Sequence, residues 1–373
     1  MREIVLLTVL LSGDQLISAD TSTGGASTIV TAVDHSGFVG VQGCQSSMCH
    51  GGAAPMRRQC TVWMSQDRHS RAFATLTTAY SARIGETLGI GSPSTSPRCT
   101  ICHAPHGNAS SSNPLQAGFA QSGVSCEECH NPARPWLRSH TRTDLSHGQK
   151  VVDGLNELRS AYIRAATCVA CHQVVSPDIL QAGHPKLTFE LDGQTETEPP
   201  HWQEKESWFG PKTWVVGQAI ALREISQQIE RGNGTPQMSG DEQALRWLLE
   251  LIPGVGPQMD KRSVAEDVWA DNEAKSISQQ IWTQERTKAV LSALSATSRS
   301  FLNSQVTQEN QVFRAERLMM GLKRLSVSLH GNPGKEEIAN LYTELENPQN
   351  FNPKEFSSGL KNLADRINDT SKN

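Results

Sequence analysis

Apolar positions fall into a helical rhythm only in the second half of the chain. In "TWVVGQAIALREISQQIE", Val216, Ala219, Leu222, Ile225 and Ile229 recur at spacings of three and four, which predicts an amphipathic helix. Ser239 with Glu242, and Ser263 with Glu266, have capping-box spacing and predict the openings of two more helices. Further helical patterns cover 276–303, 309–329, 334–346 and 353–368, punctuated by Pro253, Pro333, Pro348 and Pro353. Residues 213–373 therefore read as a helical, bundle-like domain with no visible catalytic motif.

Residues 23–190 contrast with this. They are rich in Gly, Ser, Pro, Cys and His, and turn signals are dense, as in "GIGSPSTSPR" and "HGNASSSNPLQAG". Such a segment cannot easily fill a core from its own side chains, so something else must fill it. One stretch inside it, "WMSQDRHSRAFATL", is compatible with a helix carrying His69, Phe73, Leu76 and Tyr80 on one face. Between the two regions, "LDGQTETEPPHWQEKESWFGPK", residues 191–212, reads as a polar linker or surface arm.

The first 22 residues hold an apolar run, Ile4–Leu11, behind Arg2, with small residues near Ser18 and Ala19. This predicts a signal peptide over 1–22 and a mature protein in the periplasm or secreted. No other apolar run approaches the roughly 20 residues of a membrane span. A chain of 373 residues is long enough for two domains, and a net charge of −4 gives no basic patch for nucleic acid.

The cysteines change the picture most. All nine fall between Cys44 and Cys171, and eight of the twelve histidines lie between His50 and His172. Such crowding points to metal or haem, and an odd count disfavours a fully paired disulfide framework. Three segments share one form: "CTICH" (Cys99, Cys102, His103), "CEECH" (Cys126, Cys129, His130) and "CVACH" (Cys168, Cys171, His172). This is the c-type haem attachment pattern. Two cysteines form thioethers to the two vinyl groups, and the next residue presents its imidazole to the iron. Zinc and disulfides are the alternatives, but neither requires a histidine directly after every second cysteine. "CQSSMCH" keeps that ending with four residues between Cys44 and Cys49, so His50 is expected to ligate a first haem behind a lengthened loop. Cys60 has no partner and reads as a buried thiol.

The expected cofactors are thus four covalently attached haem c groups and their iron, packed into a mainly α domain with little regular sheet over 23–190. Each iron takes a second axial ligand. His69, His140 and His184 each lie near an apolar stretch that could pack on a porphyrin. His201, His147, His35 and His106 are lesser candidates, as are Met48, Met56 and Met64.

In chain order, a Cys-His site, "W…S…H…RA…L", a second site, "GVSCEECHNPA…H" and a fourth site followed by a histidine resemble the tetrahaem cytochrome c-554 family over about residues 38–190. The resemblance implies an electron carrier, and the family's namesake accepts electrons from hydroxylamine oxidoreductase. It implies that His69 partners His130, that His140 partners His50, and that His184 or His201 partners His172. It also implies a five-coordinate iron on His103. The helical C-terminal half has no counterpart in that family. The expected function is electron transfer between a redox protein donor and acceptor. The alternative is an oxidoreductase turning over a small nitrogen or oxygen species at an open iron on His103.

Overall fold

The computed structural model describes residues 37–111, 114–256 and 264–370. The leader expected over 1–22, His35 and Ser263 lie outside the described residues. All regular structure among the described residues is helical, with no β-strand, so the fold is mainly α. The helices that position the core and the candidate site are α1 (Gln59–Gln66), α2 (Ala79–Leu88), α3 (Pro97–His103), α4 (Cys126–His130) and α5 (Ala161–His172) in the first half. They are followed by α6 (Leu191–Thr197), α7 (Phe209–Gln228), α8 (Pro236–Glu250), α9 (Glu266–Gln279), α10 (Gln284–Ser295), α11 (Gln308–Ser328), α12 (Lys335–Thr343) and α13 (Pro353–Thr370).

Helices of the first half are short because capping residues, glycine and proline interrupt them. The stretch 69–80 is not one helix. The Asp67 side chain caps a 3-10 turn, Arg68–Arg71, a four-residue helix Ala72–Thr75 follows, and Thr78 starts α2 afresh by accepting the Ser81 N–H. Gly89, at φ 64°, ends α2 in the left-handed conformation, and Pro97 then opens α3.

The second half is built around α7. Its apolar stripe was expected on one face, yet every residue from Pro211 to Leu222 is buried, because α5, α6, α8, α9 and α11 all pack against it. Trp214 is fully buried against α11 at Gly321, where a Cβ would lie 2.3 Å from the indole. The start of α8 is Pro236, with Thr235 accepting the Met238 N–H, so Ser239 sits inside the first turn instead of capping it. α9 opens at Glu266 from Ala265. The pattern over 276–303 divides because Thr283 caps a new helix, α10, and a 3-10 turn Ser298–Leu302 closes it.

Residues 191–212, expected as a linker or surface arm, contain α6, whose first three residues are buried. Glu190 accepts the Gly193 N–H at 3.1 Å, and Arg324 of α11 pairs with both Glu190 and Glu196. The described residues from 37 onward form one compact unit. The reason lies in α5: Ala161, Ala165 and Val169, one turn apart, are each at most 2% exposed and belong to the same apolar core as α7. Small side chains let the two helices approach closely. Ala165→Leu is expected to overpack this contact and lower stability by about 1–3 kcal/mol, read from the denaturant midpoint of the intact protein.

Candidate functional site

Each attachment motif of regular length ends a helix. His103 is the last residue of α3, His130 of α4 and His172 of α5. The first motif does not form a helix. A 3-10 turn, Val41–Gly43, leads into a loop in which Cys49 N–H donates to Ser46 O and His50 N–H donates to Cys44 O. The two glycines that follow are needed by this loop's own backbone: a Cβ on Gly51 would lie 1.9 Å from Gln45 O, and one on Gly52 2.5 Å from Ser47 O. No two cysteines are disulfide-bonded. The motifs nevertheless meet in pairs. Cys44 and Cys126 are within side-chain hydrogen-bonding reach of one another, and so are Cys102 and Cys171. Cys60 is buried beside Cys44, and burial pushes its thiol up.

Histidines far apart in sequence come together as opposed rings. The His50 and His140 ring centroids are 6.2 Å apart and nearly parallel, at 21°. His69 and His172 are 5.9 Å apart at 82°, and His103 and His184 are 6.4 Å apart at 75°. Two imidazoles sharing one metal through bonds of roughly 2 Å have their centroids roughly 6 Å apart, so each pair is spaced to hold one iron between them. The resemblance implies His69 opposite His130 and no ring opposite His103. In the structure His69 faces His172, and His184 stands opposite His103.

The ring nitrogens support the same use. Nδ1 of every paired ring is engaged away from the pair, which leaves Nε2 as the free nitrogen. His50 Nδ1 meets Gln59 Oε1 at 3.1 Å, and His140 Nδ1 meets Leu137 O at 2.6 Å. His103 Nδ1 meets Ala72 O at 3.0 Å, and His184 Nδ1 meets Pro185 O at 2.8 Å. His69 Nδ1 lies 3.1 Å from Asp67 Oδ1. His172 Nδ1 lies 3.3 Å from the Gln194 amide nitrogen, while Gln194 Oε1 is buried without a partner. A half-turn of that amide places its oxygen on the imidazole N–H and satisfies both.

Burial holds His103 and His172 below the ordinary imidazole pKa. His130 is pushed down to about 4 by burial, with His201, His50 and His140 adding to it. Neutral imidazole is the form that binds a metal. His201 is likewise lowered, by burial first. His69 moves the other way because its hydrogen bond to Asp67 favours the charged ring.

The remaining candidates have other company. His147 Nε2 is 2.7 Å from Glu157 Oε2, the His106 ring lies 4.2 Å from Phe38, and Met48, Met56 and Met64 are exposed. Sequence reasoning missed the groups that hold the site from behind. Gln59, Asp67 and Gln194 lie outside any motif, although a short polar residue two before His69 is a capping signal. Glu127, inside "CEECH", accepts the N–H groups of Val39, Gly40 and Ala133 at 2.7–3.2 Å and ties α4 to the backbone leading into Cys44. Tyr80 of α2 donates to the carbonyl of Gly183, the residue before His184.

Residues 43–131 match the family described as Cytochrome c554 and c-prime. The matched stretch runs from the lengthened first loop through "CEECH" and so contains three of the four attachment motifs. The match supports an electron-carrying c-type cytochrome with covalently bound haem c. No curated protein and no solved structure matches the chain. No helix among the described residues is long and apolar enough to cross a membrane.

Glu127→Ala would leave three backbone N–H groups unpaired. It is expected to cost about 2–3 kcal/mol or more, measured by denaturant unfolding of the haem-loaded protein.

Proposed function

We propose that the chain is a periplasmic or secreted tetrahaem c-type cytochrome that passes electrons between a donor and an acceptor protein and has no open iron. Cys44/Cys49, Cys99/Cys102, Cys126/Cys129 and Cys168/Cys171 tether the four haems, and His50, His103, His130 and His172 are their first axial ligands. His140, His184 and His69 complete the irons on His50, His103 and His172. His201 is assigned to the iron on His130 by elimination: of the three histidines whose charge acts on His130, His50 and His140 already face one another. When bound, each haem supplies a one-electron iron couple. The chain's own groups fix the tautomers of the six paired imidazoles through Nδ1 and anchor α5 in the helical core.

The observation that carries this reading is His184 opposite His103 at 6.4 Å. The alternative of an enzyme working on a small nitrogen or oxygen species depends on a five-coordinate iron at His103. With an imidazole on its far side that iron has no free position, and a six-coordinate couple suits transfer rather than turnover.

The mass of the mature protein tests haem count and leader removal together, and the expected result is four haems on a shortened chain. All haems are expected to be low-spin, with no reaction with nitric oxide or carbon monoxide. His184→Ala is expected to convert one haem of the four to a high-spin, carbon monoxide-binding form. A high-spin haem already present before substitution would overturn the carrier reading in favour of the enzyme.

A further inference from the structure

We propose that Asp67 is a positioning residue that, through His69, makes the iron held between His69 and His172 the lowest in potential of the three paired sites. The proposal rests on the four-haem reading above. Its basis is a difference among the groups behind the paired rings. Five of the six Nδ1 atoms meet uncharged partners: the Gln59 and Gln194 side-chain amides and the backbone carbonyls of Ala72, Leu137 and Pro185. Only His69 meets a carboxylate, at 3.1 Å.

Asp67 is fixed in place. Its Oδ1 also accepts the His69 backbone N–H at 2.9 Å, its carbonyl accepts the Ser70 hydroxyl at 2.7 Å, and it is 3% exposed. Water and salt therefore screen it little. A carboxylate drawing on the Nδ1 proton makes the ring a stronger donor through Nε2. A stronger donor favours the ferric over the ferrous ion, which lowers the potential. Glu198 brings a second carboxylate, its nearest ligand atom within 4.8 Å of those of Asp67 and His69. Its charge acts in the same direction, but no hydrogen bond links it to the ring. The opposite member of the pair, His172, meets an amide, so the asymmetry resides in Asp67.

The test is a spectroelectrochemical titration of the haem-loaded protein and its variants. Asp67→Asn keeps a side-chain acceptor for the cap and removes the charge. The lowest of the four waves, or the second lowest where the His130 haem lies below it, is expected to rise by at least the equivalent of a tenfold change in the reduced-to-oxidised ratio, 59 mV for one electron. The other three waves are expected to stay in place, and every haem to remain low-spin. Glu198→Gln is expected to move the same wave by less. Asp67→Glu is expected to keep most of the depression, and it serves as the comparison if Asp67→Asn loses a haem.

The proposal is overturned if the low-spin variant keeps all four potentials, if one of the two highest waves moves instead, or if Glu198→Gln matches Asp67→Asn. If Asp67→Glu has to be used, full loss of the depression also overturns it. None of these outcomes touches the four-haem reading, which fails separately if the unsubstituted protein lacks four low-spin haems.

Discussion

Three pairs of imidazole rings from distant parts of the chain stand with centroids 5.9–6.4 Å apart, and much of the first half of this protein is arranged around those meetings. An imidazole has two nitrogens, and only one can face a metal. Engaging Nδ1 with a carbonyl, an amide or a carboxylate settles which one remains and also fixes the plane of the ring. The structure repeats this at His50 with His140, His69 with His172 and His103 with His184, using a different partner for almost every ring. The partners come from turns, caps and the first residues of short helices, with Gln194 of α6 the one from a helix interior, which is why short elements suit this half better than long amphipathic ones.

The second half contributes rigidity rather than chemistry. α7 is buried on all sides, and α5, which carries the fourth attachment motif at its end, shares its apolar core. α6 then returns over the same motif, held by Arg324 from α11 and offering Gln194 to His172. The fourth motif is thereby held from the helical side. That dependence gives the C-terminal helices a physical role.

Much of this was legible in the sequence, and what was not has physical causes. The helices after residue 213 followed from period and proline positions, because a helix facing a core must repeat. The three Cys-x-x-Cys-His segments stood out because their spacing is the same each time. Ring partners were not, since the pairing of His69 with His172 and of His103 with His184 is decided by turns between them that carry no periodic signal. The resemblance implies His140 opposite His50, as the rings stand, but it also implies His130 opposite His69 and no ring opposite His103, whereas the nearest rings there are His172 and His184. Capping boxes misled at Ser239 because Pro236 starts α8 one turn earlier. Gly51 and Gly52 make room for the loop's own carbonyls, a close approach that carries no signal in the sequence.

The carboxylate of Glu127 has a consequence in time as well as in space. The residues of the first motif leave the ribosome early, yet the N–H groups of Val39 and Gly40 find their acceptor only 88 and 87 positions later. Until the chain has been made through that acceptor, the approach to Cys44 has no fixed course, and closing so long a loop carries an entropic cost that local contacts cannot offset. A segment made before its acceptor is in this sense positioned only after it.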